Sequence, residues 1–145
     1  MDLHRPVARK QLAMEFFIAT GLLLPVPAVA GSSPLTVNVP IDSDGVHRAV
    51  VEVDSFNYAP HHLVVIAGHP VEPTFKSVTW VVPHAAIIDE PQSGLHIREE
   101  IPARESRTIT FTPTVPGSFP IYCDKKLPFL KSHREKSQEG VLEVR

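Results

Sequence analysis

The chain has a single cysteine, Cys123, in 145 residues, so no intramolecular disulfide can staple the fold. It has only two methionines, Met1 and Met14, so no thioether follows the first fifteen residues. Neither charge sign dominates. The formal net charge is −2 and the pI is near 6.4, whereas a nucleic-acid-binding domain usually has a pI above ~9. Long apolar runs are also missing. The longest, Leu12 to Leu24, covers 13 residues and includes Glu15, short of the ~20 needed to span a bilayer. Long helices are disfavoured too, because the 15 prolines are about twice the usual ~5%. The length suits one domain.

The apolar run follows Arg5, Arg9 and Lys10 and ends in Ala28-Val-Ala30. A basic start, a short apolar stretch and a small-x-small site form a secretory signal. Residues 1–30 are therefore expected to be removed, leaving 31–145 as one domain in the periplasm or outside the cell. A membrane association is expected only if that segment stays uncleaved.

From Leu35 onward the pattern is all-β. Short β-branched or alternating runs occur at Leu35–Val39, Ala49–Val53, Leu63–Ile66, Val71–Lys76, Thr108–Thr112, Ser118–Cys123 and Gly140–Val144. In the Thr108–Thr112 run, Ile109 and Phe111 face inward and the threonines outward. Turn signals such as Asp44-Gly45 and Pro116-Gly117 separate the runs. Short strands at this spacing predict a β-sandwich, since strands of this length need two packed sheets to bury a core. Pro120 lies inside one strand and cannot donate a ladder hydrogen bond, so that strand is expected to be bulged or at an edge.

Period two puts Phe119, Ile121 and Cys123 on one face, with the thiol at the end of its strand. His133 follows ten residues later and Gln138 five after that, while His84 lies upstream beside a strand. One thiolate and two imidazoles, with a weak axial donor such as Met, Gln or a backbone oxygen, are the ligands of a mononuclear blue-copper site. His84, Cys123, His133 and Gln138 are the candidate ligands, and Glu139 and the Pro83 carbonyl are rival axial oxygens. His47, His61, His62, His69 and His96 read as surface residues.

The segment from about Val50 to Arg145 resembles the cupredoxins, the plastocyanin and azurin type of protein. The resemblance rests on Gly117-Ser-Phe-Pro-Ile-Tyr-Cys123, then His133, then Gln138, with His84 after the middle strands. Tyr58-Ala-Pro60 with the run to Gly68, and Ile101–Ser106, add to it. The resemblance implies a Greek-key β-sandwich, one type 1 copper and single-electron transfer without enzymatic activity. It also implies a redox partner such as a cytochrome or respiratory oxidase. Lys125, Lys126 and Lys131, with the apolar Leu127–Leu130, form the expected docking surface of a monomer. Three departures stand out. The Cys123–His133 loop holds nine residues, the axial position is Gln rather than Met, and Ala85 stands where the family often has Asn. The missing Met and the Ala85 departure also suit a copper-binding protein for delivery or resistance. A multicopper oxidase or nitrite reductase is disfavoured, because Cys123 is flanked by Tyr122 and Asp124 rather than by histidine. A metal-free assembly subunit is a further alternative.

Overall fold

The structure, a computed structural model, describes residues 35–145. Ten strands form two sheets. The six-stranded sheet has β1 (Thr36–Asn38), β4 (His62–Val65), β10 (Glu139–Val144), β9 (Gly117–Tyr122), β6 (His84–Glu90) and β7 (Leu95–Ile101), in that order. The four-stranded sheet has β3 (Asn57–Ala59), β2 (His47–Asp54), β5 (Val71–Ser77) and β8 (Ser106–Thr108). Both sheets are mixed: β1 and β10 run parallel to β4, and β2 runs parallel to β5. Among the described residues the only helical pieces are two short 3-10 turns, Pro91–Ser93 and Arg134–Lys136. No helix among these residues is long and apolar enough to cross a membrane. The expected signal segment lies outside the described residues.

The all-β sandwich expectation holds. Val51, Val53 and Phe75 from one sheet and Leu63, Ile121 and Leu142 from the other are among the residues buried between the layers. β5 alternates as its sequence does, with Val71, Phe75 and Ser77 buried. β6 is buried from His84 through Ile88, so it reads as a continuous apolar run rather than an alternation. β7 was not anticipated. Its alternation of Leu95, Ile97 and Ile101 is broken by Glu99, and as an edge strand it carries exposed His96, Arg98 and Glu100.

Two proline positions shape the ladders. The strand expected at Thr108–Thr112 ends at Thr108, and Phe111 makes only an isolated bridge to Val71. Between them Ile109 donates to the Pro73 carbonyl at 3.2 Å, and Pro73, lacking an N–H, returns no bond. Pro120 differs from its expectation in the opposite way, because it sits inside a sheet, opposite Val141. Val141 sends its own amide away from β9, to the His61 carbonyl. The Val141–Pro120 pair is therefore a non-hydrogen-bonded one, and the missing N–H of Pro120 faces β6. There the only paired register with β9 is Ile87 opposite Tyr122, and the ladder does not continue past Pro120, which has no N–H to give it. Gly140 permits the same tight β4–β10 approach, because a Cβ there would lie 2.7 Å from the His61 carbonyl oxygen.

Among the histidines read as surface residues, His96 is exposed, and His61, His62 and His69 are half-buried. His47 corrects the expectation: it is 1% exposed. Its Nδ1–H donates to the Val39 carbonyl at 2.8 Å, and its Nε2 accepts the Ile66 amide at 3.0 Å. The ring thus joins β2 to the segments after β1 and β4. Replacing it with Leu would orphan both backbone groups at about 1–3 kcal/mol each. We expect H47L to lower the urea midpoint by a corresponding amount with an unchanged m-value.

Candidate metal centre

The site forms where three chain segments meet at one end of the six-stranded sheet. His84 opens β6, Cys123 follows β9 directly, and His133 and Gln138 lie on the return to β10. The Cys123 amide donates to the Gln138 carbonyl, extending the β9–β10 ladder by one pair and bringing the two residues side by side. The intervening loop is held internally. His133 donates its amide to the Lys125 carbonyl at 2.8 Å, and Gln138 donates its amide to the His133 carbonyl at 3.0 Å. Ser132 and Glu135 exchange hydrogen bonds in the reciprocal manner of a capping box, which the Ser-x-x-Glu spacing encodes. Ser137 has φ 73°, the left-handed conformation that turns the chain into β10. Ion pairs fasten the loop stems: Asp124 with Arg98 at 2.7 Å, Lys125 with Glu100, and Arg134 with Glu139.

His84, Cys123 and Gln138 are 0% exposed and His133 is 9% exposed. One ligand atom from each of His84, Cys123 and His133 lies within 4.8 Å of the others. Cys123 Sγ is 3.4 Å from His133 Nδ1, a separation that donors each ~2.0–2.3 Å from one ion would share. Gln138 Oε1 lies 3.0 Å from His84 Nδ1. Its amide is oriented from behind, where Nε2 donates to the Asp54 carbonyl at 3.3 Å and turns the oxygen toward the histidine. Glu139, the rival axial donor, is instead exposed and paired with Arg134.

Three supporting residues come from the β2–β3 turn, which sequence reasoning did not connect to the site. Asp54 holds Gln138. The Phe56 ring packs edge-on against His133, with centroids 4.9 Å apart. Tyr58 donates its hydroxyl to the Ala85 carbonyl at 2.5 Å. Only the tertiary fold brings this turn, some 80 residues upstream of Gln138, to the site, and no local pattern marks it.

The electrostatics of the metal-free site favour neutral imidazoles and a protonated thiol. Burial holds the pKa of His84 below its ordinary value and outweighs the opposing hydrogen bond from Gln138. Burial also lowers His133, with His84 and Lys136 adding to the effect. Both rings are thereby kept in the unprotonated form that binds metals. Burial pushes the Cys123 thiol up, opposed by nearby backbone amides, of which the Ala85 N–H donates to the sulfur at 3.2 Å.

No family model and no curated protein matches this sequence. Solved structures do. The metal-binding domain of the Cu(I)-exporting P-type ATPase CopA of Streptococcus pneumoniae, determined with Cu(I), is 24% identical with a TM-score of 0.58, covering 79% of this chain and 99% of that one. Auracyanin A, a blue copper protein of Chloroflexus aurantiacus, is 17% identical with a TM-score of 0.53, covering 70% and 100%. Reduced rusticyanin is 18% identical with a TM-score of 0.55, covering 79% and 87%. The chain has the cupredoxin fold.

Within this cupredoxin fold the His–Cys–His cluster fits a mononuclear type 1 copper site. One atom of the polar network is left over. His84 Nε2 is buried with no hydrogen-bond partner among the described residues, so the four side chains do not satisfy one another fully. Such a partnerless buried nitrogen costs ~1–3 kcal/mol.

The lowered imidazole values set a pH dependence. Between the folded and ordinary pKa values the unfolded chain binds more protons than the native one. Stability of the metal-free protein is therefore full above about pH 6.5 and is lost as pH falls below it. Urea midpoints measured from pH 7.5 to 5.5 should fall, and the decline should be shallower in H133N.

Proposed function

We propose that the protein carries single electrons on one type 1 copper held by Cys123, His84 and His133, with Gln138 as the axial donor. The observation that supports this most strongly is the buried donor cluster, already gathered by hydrogen bonds that do not involve a metal. The chain holds Cys123 through the Ala85 amide, His133 through its stapled loop, and Gln138 through Asp54. A bound copper would supply the one-electron couple. A cluster held by these outer contacts changes little in shape between oxidation states, which keeps reorganisation small.

The route to a partner runs through His133. Its edge borders a groove of about 310 Å³ with apolar walls that include Phe56, Val81, Pro83, Leu127 and Leu130. Lys125, Lys126, Lys131 and Lys136 also line this groove. Lys125 is paired with Glu100, and Lys136 lies over the Phe56 ring at 4.4 Å. Lys126 and Lys131 are thus left to attract an acidic redox partner, such as a cytochrome or a respiratory oxidase. Charge of this kind raises the association rate more than the affinity. The export-signal pattern in residues 1–30 supports action in the periplasm or outside the cell, as a non-enzymatic monomer.

Copper delivery is the second reading. It is favoured by the likeness to the metal-binding domain of a Cu(I) exporter and by the absence of a Met ligand.

Added Cu(II) should produce an intense visible thiolate-to-copper band in the purified domain, and Cys123→Ser should abolish it. A band that survives this change, or no band at all, would exclude the copper-thiolate assignment. Stopped-flow mixing of the loaded protein with a reduced c-type cytochrome separates the two readings. Fast reduction with copper retained supports electron transfer, whereas slow reduction with rapid release to a chelating acceptor supports delivery. Gln138→Met should raise the reduction potential, because the amide oxygen is the harder donor and favours Cu(II). An unchanged potential, measured by redox titration of the band, would remove Gln138 from the axial position.

A further inference from the structure

Ala85 follows His84 on β6, and its side chain is a buried methyl with no polar atom. Its backbone groups both point away from β7, toward the cysteine strand. β9 and β6 share only the Ile87–Tyr122 register, so neither group of Ala85 enters that ladder. Buried backbone groups need partners. The Ala85 N–H finds Cys123 Sγ at 3.2 Å, and the Ala85 carbonyl finds the Tyr58 hydroxyl at 2.5 Å.

Tyr58 belongs to β3, in the other sheet, so its hydroxyl crosses the sandwich to make this bond. The side chain is 2% exposed. Its ring stands edge-on to Phe75 with centroids 6.0 Å apart and packs over Gly140, where a Cβ would lie 3.5 Å from Cδ2. The phenol is therefore fixed at both ends, by packing around the ring and by the carbonyl at the hydroxyl.

We propose that Tyr58 is a positioning residue for Cys123: by bonding the Ala85 carbonyl, it holds the Ala85 N–H on the cysteine sulfur and so tunes the charge that sulfur donates to a bound copper. This rests on the copper reading above. An N–H directed at the sulfur draws electron density from it, and hydrogen bonding around that sulfur is one of the controls on the potential of such a site. Releasing the peptide leaves the sulfur a stronger donor and favours the oxidised ion.

The test compares Tyr58→Phe, which removes one oxygen, with Val144→Ala, a core truncation at the far end of β10. In the metal-free protein, amide hydrogen exchange at Ala85 should quicken at least tenfold in Y58F relative to Ala86, Ile87 and Ile88, and not in V144A. In the copper-loaded protein, Y58F should lower the reduction potential and shift the visible band, while V144A lowers stability and leaves both in place. A fluorinated tyrosine at position 58, a stronger donor with the same ring, should move the potential upward and serves if Y58F does not fold. Uniform loosening of β6 in Y58F, or a potential and band equal to the parent's, overturns the proposal. A parent protein with no thiolate band overturns the copper reading instead, and the exchange of Ala85 still decides whether Tyr58 holds the peptide.

Discussion

A thiol, two imidazoles and a carboxamide are buried together at one end of the sandwich, and the surrounding structure is arranged around keeping them satisfied. In a low-dielectric core each unpaired polar atom carries a large cost, so the geometry of such a cluster is set by where its partners are. The partners here are mostly backbone. The Cys123 sulfur takes the amide of Ala85, Gln138 rests on the Asp54 carbonyl, and His133 is bonded through its own amide to Lys125. Backbone donors are rigid because the sheets hold them, so the donor cluster inherits that rigidity. The one group left over is Nε2 of His84, which is buried without a partner among the described residues.

That constraint explains the long loop between Cys123 and His133. Nine residues between two ligands would make a loose clasp if the loop were free. It is instead tied to β7 by Asp124 and Lys125, tied to β10 by Arg134, and folded internally by the Ser132–Glu135 exchange. Its apolar tip, with Leu127, Phe129 and Leu130 exposed, is then available as a contact surface beside His133. The β2–β3 turn closes the site from the other sheet, through Asp54, Phe56 and Tyr58. Both sheets therefore contribute to one centre, although the donor cluster itself belongs to the six-stranded sheet and its loop.

Much of the fold was legible because burial imposes period two on strands, and runs such as Val71–Lys76 and Ser118–Cys123 show it plainly. β7 was missed because Glu99 interrupts its inward face. The Thr108–Thr112 run was read one ladder too long because its interruption comes from Pro73, a residue on the partner strand. Pro120 looked misplaced in the sequence, and it is accommodated because its β10 side is a non-hydrogen-bonded pair with Val141 and only the short β6 ladder meets its missing N–H. His47 looked like one more surface histidine, since nothing beside it announces that two backbone groups from other segments converge on its ring.

By itself the sequence determined most of the strand pattern, and it pointed to His84, Cys123 and His133 as the residues that the fold gathers. Those features follow from local chemistry: side-chain alternation, and residue types whose atoms bind a soft metal. Which oxygen stands near the histidines, which lysines remain unpaired and what braces the sulfur were decided by tertiary structure. Glu139 and Gln138 are neighbours in sequence, but Glu139 turns outward to Arg134 while Gln138 is drawn inward by Asp54. The one-residue pleat of a strand separates them onto opposite faces, and only the packed sandwich says which face is the inside.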